Sequence, residues 1–210
     1  MKTVFFNSIG RKFIETMVLL FLPFYTICQV IQPGTIEYLK YSNGVNGIRL
    51  GADLGSINSK EIAFLDGNSN LDVDSCLNFE CRDTSMLKIS NDISLDLIGI
   101  RTYKNKIINI YLFFPRVSSY KILYDFLVSY GNFTYRPSSY NDIYYWDSSA
   151  VSLSLLYEAK VDMGVAIFTC NQLNKAMLAD KLKNANKALA NNDLNYSQVD
   201  NISVPGKVSN

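Results

Sequence analysis

The chain has no histidine in its 210 residues. That absence excludes Ser-His-Asp and Cys-His nucleophilic catalysis, histidine-ligated zinc or iron, and imidazole acid–base chemistry. Cysteine is scarce, at four, and there is no second close pair to complete a zinc site. A charge excess is also missing, with 20 basic residues against 19 acidic. Such a surface offers no basic face for phosphates and no polybasic membrane patch, so no nucleic-acid partner is expected. No apolar run reaches the length of about 20 residues that a transmembrane helix needs.

The longest apolar run is at the N-terminus. Lys2, Arg11 and Lys12 precede it, it extends from Met17 to Ile27, and Gln, Pro and Gly follow. A basic segment, a short apolar core and a polar change form the pattern of a secretory signal peptide. Residues 1–28 are read as that signal, with Thr26 and Cys28 as the small residues before a new terminus at Gln29. Cys28 also opens the possibility of an acylated lipoprotein, although Ile27 and Tyr25 match a lipobox poorly. The expected location is extracytoplasmic, periplasmic or secreted, with membrane attachment only through lipidation at Cys28. Export leaves 182 residues with 17 basic against 18 acidic side chains, enough chain for one core without disulfides.

In an oxidising compartment, Cys76 and Cys81 of Cys-Leu-Asn-Phe-Glu-Cys are expected to pair. Cys170 follows an apolar run and is expected to be buried and free.

Along the chain, residues 29–46 read as a turn-rich leading segment and 47–51 as a strand. Ser56 to Ser59 supplies caps for a short helix over 60–65. Residues 71–82 read as strand and loop. Leu97–Tyr103 and Lys106–Phe114, rich in Ile, Tyr and Phe, predict a hairpin turning at Lys104-Asn105. Ile122, Leu123, Phe126, Leu127 and Tyr130 recur at helical spacing over 120–130, and Gly131 sits where a left-handed stop belongs. Strands follow at 143–146, 151–157 and 165–169, and an Ala-, Lys- and Leu-rich helix at 174–190. Residues 29–190 are expected to form a single α+β domain, an antiparallel sheet with helices on one face and two helix-plus-meander units. Residues 191–210, poor in large apolar side chains, are expected to be a disordered tail. Ile122, Leu123, Phe126 and Leu127 should pack on Ile108, Ile110 and Leu112 and on Val151, Leu153 and Leu155, because the two periods must present apolar faces to one another.

Gly-Ile-Arg-Leu-Gly at 47–51, Tyr-Lys-Asn-Lys-Ile-Ile at 103–108, Tyr130-Gly131, Tyr145-Trp146, Leu155 with Tyr157, and Gly164 to Leu173 make a pattern. It resembles that of small exported bacterial proteins of uncharacterised, Bacteroidetes-like type. The layout is similar to β-lactamase-inhibitory-protein-like and outer-membrane-assembly lipoprotein domains. The resemblance implies a binding module and not an enzyme.

Asp66, Asn68, Asn70, Asp72 and Asp74 alternate as oxygen ligands do in calcium loops. Leu71 and Leu77 stand where an EF-hand needs Gly and Glu, so an acidic turn is expected and no metal or cofactor. Tyr135, Tyr140, Tyr144, Tyr145 and Trp146 form an aromatic cluster. Tyr140, Tyr144, Tyr145 and Trp146 are the candidate binding residues, since Tyr and Trp anchor partners and stack on sugars. In a strand Tyr144 and Trp146 share one face, and Trp146 favours the core. Asp142 and Asp147, then Glu158 and Asp162, flank successive elements, and no motif marks them as catalytic. The expected function is a non-enzymatic exported binding or interaction domain, for an unknown protein or an envelope glycan. The alternative is a cell-envelope hydrolase using paired carboxylates.

Overall fold

The hairpin expected over 97–114 stands at the middle of the structure. The computed structural model describes residues 31–58, 60–65, 76–90, 92–137, 142–158 and 162–199. Helix α1 (Ile36–Ser42) leads into a short ribbon of β1 (Gly44–Val45) and β2 (Ile48–Arg49). Strands β3 (Ile62–Leu65) and β4 (Cys76–Cys81) follow, then a second ribbon of β5 (Lys88–Ser90) and β6 (Ile93–Ser94). The long hairpin is β7 (Leu97–Tyr103) and β8 (Lys106–Pro115). Helix α2 (Ser119–Tyr130) precedes a meander of β9 (Ile143–Asp147), β10 (Val151–Glu158) and β11 (Met163–Cys170), and helix α3 (Asn171–Val199) comes last. Seven strands make one antiparallel sheet in the order β3-β4-β7-β8-β11-β10-β9. This is the α+β class expected from the sequence. All these elements lie within 33–210, one compact unit. Among the described residues no helix is long and apolar enough to cross a membrane.

Lys104 and Asn105, both at positive φ, form the two-residue turn that matches the twist of paired strands. From there the pleat sends Ile98, Ile100, Ile110, Leu112, Phe114, Val151, Leu153, Leu155, Ala166 and Phe168 into one buried cluster. Helix α2 lays Ile122, Phe126 and Tyr130 on it, with Leu123 and Leu127 half-buried at the flanks. Helix α1 adds Leu39. Gly164 is required by this packing, because a Cβ there would stand 2.1 Å from the ring of buried Phe114.

Ile108 departs from the expected contact with α2. Arg101 pairs with Asn109 but Thr102 pairs with Ile107, so Ile108 is the extra residue of a β-bulge. The bulge breaks the period of two. Ile107 and Ile110 share the first cluster, while Ile108 joins Cys76, Tyr103 and Met177 in a second. The one-face expectation therefore describes α1 and α2, whereas the start of α3 packs through Leu173 and Met177 against side chains leaving the opposite face.

Other expectations shift. Residues 62–65 are a strand and not a helix, and the first helix lies earlier, at 36–42. The helix expected over 174–190 is found as Asn171–Val199. Cys81 carries no disulfide, so the expected pairing with Cys76 is not formed. The two residues end the same extended strand, so five steps of about 3.3 Å hold their Cα atoms roughly 16 Å apart and on opposite faces. Cys170 is free but only half-buried. Cys28 and the signal segment, and the acidic run from Asp66 to Asp74, lie outside the described residues.

Asp180 fastens α3 to the β7–β8 turn, accepting from the Tyr103 hydroxyl and from Lys104 Nζ at 2.8 Å. The Lys104 bond first, and the Tyr103 bond second, hold the Asp180 carboxyl below its ordinary value, while bonding to Asp180 raises the Lys104 ammonium. A lowered acid contributes stability that is complete above its unfolded pKa and is lost as pH falls through the folded one. A raised base contributes fully below its unfolded pKa and loses this as pH rises through the folded one. The tether is thus complete between the ordinary carboxylate value of 3.8 and the ordinary ammonium value of 10.5. The Met177 methyl resonance should move as pH drops below about 4. In Asp180→Asn that acid transition should vanish, with the neutral-pH resonance displaced toward its acid position.

Candidate functional site

The side chains of β9 divide as a period of two requires. Tyr144 and Trp146 enter the core, at 8% and 0% exposure, while Tyr145 and Asp147 leave on the other face. Tyr140 lies outside the described residues. Of the four candidate binding residues, Tyr145 alone is both described and placed on the open face. Trp146 has a different part. Its Nε1–H donates to the Gly131 carbonyl at 2.9 Å, which ties down the segment leaving α2. Gly131 itself, at φ +77°, ends that helix as expected.

The tied segment brings Tyr135 beside Tyr145. The Tyr145 N–H donates to the Tyr135 carbonyl at 2.9 Å, and the Thr134 and Tyr135 N–H groups donate to the Tyr145 carbonyl at 2.7 and 3.2 Å. A directly opposed pair projects both side chains to one face. The rings lie 6.0 Å apart between centroids, inclined by 28°, and Tyr135 is 59% exposed. Thr134 Oγ1 accepts from the Asp147 N–H at 3.0 Å, continuing the pairing by one residue.

These rings stand at one side of a groove of about 690 Å³. Its other walls are Asp147, Ser148, Ser149 and Ser152 of β9, β10 and their turn, and Asn171, Asn174 and Lys175 from the start of α3. The volume falls within the range of small-molecule sites. Asn171 fixes the floor. Its amide donates to the Ser148 carbonyl at 2.9 Å and to Asp147 Oδ1 at 3.3 Å, and its Oδ1 accepts from Ser152 Oγ at 2.9 Å. Ser148 Oγ donates to the Val151 carbonyl at 2.7 Å and accepts the Val151 N–H at 3.0 Å, closing the turn. Ser149, Asn174 and Lys175 have no side-chain partner among the described residues. The sequence held little to mark this wall, because Asn171 and Asn174 follow the last strand by chain order and reach β9 only through the fold.

Asp142 and Asp147 do not converge. Asp142 precedes β9 and lies on the Tyr144 side, whereas Asp147 ends the strand and lines the groove. Asp142 meets the Arg136 guanidinium at 3.8 Å, and that guanidinium lies 4.8 Å above the Tyr144 ring. Burial pushes the Tyr144 hydroxyl up, an effect the Arg136 charge partly offsets. Asp162 accepts from the Tyr157 hydroxyl at 3.3 Å, and Arg116 covers the Tyr157 ring at 4.9 Å. A cavity beside these groups, under Tyr120 and Leu123, measures about 50 Å³. It holds the buried Ser119 Oγ, which has no hydrogen-bond partner among the described residues. That volume suits a water molecule or two and not a ligand. Among the described residues no three Cys, Asp or Glu side chains come together as a metal site.

No family model, no curated protein and no solved structure matches the chain.

Proposed function

We propose that this chain is an exported, non-enzymatic binding domain whose ligand seats in the groove between β9 and the start of α3. The observation that carries the reading is the pairing of Tyr135 with Tyr145 over a hydrogen-bonded floor fixed by Asn171. Rigid aromatic faces held by a preorganised polar network favour binding, since little is left to order when the ligand arrives. The basic, apolar and polar succession of residues 1–28 supports export. The hydrolase alternative has less support. Glycosidic carboxylates flank one bond at about 5–10 Å, whereas Asp142 and Asp147 line separate cavities.

Titrating the purified protein with clarified envelope extract, followed by amide NMR, tests the reading. Shifts should concentrate at Tyr135, Tyr145, Ser149 and Asn174, with the extract chemically unchanged. Release of reducing ends, with shifts gathered at Asp142, Tyr157 and Tyr120, would turn the reading to the hydrolase.

A further inference from the structure

On the reading of this groove as the binding surface, we infer that its ligand is a neutral oligosaccharide. The inference follows from what the groove offers and from what it closes off. Its available polar side chains are mostly uncharged. Ser149 and Asn174 have no partner among the described residues, and Thr134 Oγ1, which accepts from Asp147, retains a proton to donate. Serine and threonine hydroxyls donate and accept at one atom, as sugar hydroxyls do. The charges present are one of each sign, Asp147 and Lys175, so the groove selects neither a polyanion nor a polycation.

The rings supply the apolar half. Tyr135 and Tyr145 project together with a shallow angle between them, and Tyr135 is largely exposed. An amphipathic tyrosine can lie against the C–H face of a pyranose while its hydroxyl stays wet. A peptide has a poorer way in. An extended peptide binds a sheet by adding a strand to a free edge. Here the outer edge of β9 at Tyr145 is already bonded through both N–H and carbonyl to Tyr135 and Thr134. Recognition must therefore come from side chains, and these suit a polyhydroxylated ring.

Calorimetry and amide NMR of the purified protein would use four neutral hexasaccharides: β-1,4-glucose, β-1,4-N-acetylglucosamine, β-1,4-mannose and α-1,4-glucose. Anionic oligogalacturonate and a mixed decapeptide library serve as comparison probes. At least one neutral hexasaccharide should bind with a Kd below about 1 mM. Tyr135→Ala and Tyr145→Ala should each weaken it about tenfold or more, as lost stacking on an exposed ring implies. Tyr135→Phe should restore most of the affinity, and Tyr120→Ala, exposed on α2, should change nothing. Failure of all four neutral sugars, or binding of oligogalacturonate alone, overturns the ligand class. Peptide binding abolished by Tyr145→Ala overturns the class but keeps the groove. Binding of any probe that ignores both tyrosine substitutions overturns the groove itself.

Discussion

Phe126→Ala should destabilise the protein by about 3–5 kcal/mol, the ordinary cost of emptying a large buried aromatic site. Phe126 is 4% exposed and touches three rings. Trp146 and Phe168 meet it edge to face, at 5.9 Å with planes 84° and 85° apart, and Tyr130 lies at 5.8 Å. Such contacts add about 0.5–1.5 kcal/mol each beyond area burial. The cavity cannot refill, because its walls belong to both the helix and the sheet. A domain stable by about 5–15 kcal/mol would lose a large share, with a fall in Tm of about 10 °C. Lys121→Ala on the exposed side of the same helix should stay within about 0.5 kcal/mol. A denaturant titration of both variants decides the matter, and equal effects would mean that α2 does not dock on the sheet.

Trp146→Ala should cost a similar 3–5 kcal/mol, for a second reason as well as the first. Besides emptying a site at 0% exposure, it strands the Gly131 carbonyl that the indole satisfies. Trp146→Phe separates the two terms. It keeps most of the volume and should cost about 1–3 kcal/mol for the unpaired acceptor. The Phe126 and Trp146 rings touch, so the double variant should be less destabilised than the sum, by about 0.5–3 kcal/mol. Strict additivity in chemical denaturation would count against the shared cluster. Trp146→Phe should also weaken any ligand that uses Tyr135, since the indole anchors the segment carrying that ring.

Local pattern made much of this architecture readable. The β7–β8 hairpin, the α2 stripe and the alternation of Val151, Leu153 and Leu155 each depend on neighbours a few residues away, and each is found as expected. What escaped depends on distant partners. The segment 62–65 has a capping signal ahead of it, yet pairing with β4 overrides the local preference for helix. Cys76 and Cys81 are close in number, but extension of β4 by pairing with β7 carries them apart. Of the groove, Tyr145 and Tyr135 were visible as aromatics, while Trp146 carried the same signal for a structural reason. Asn171 and Ser149 gave no signal because polar residues after a strand are ordinary. Their value comes from three elements converging.

The bulge at Ile108 changes what this strand can tolerate in the way of length. Removing one residue from a paired strand normally inverts every side chain beyond the cut. Here Ile107 and Ile110 already face the same cluster with two residues between them. Loss of Ile108 would therefore restore an even count. The reading frame of the sheet would be kept on both sides of the deletion, with only Ile108's share of the α3 contact given up and the core beneath α2 left in phase.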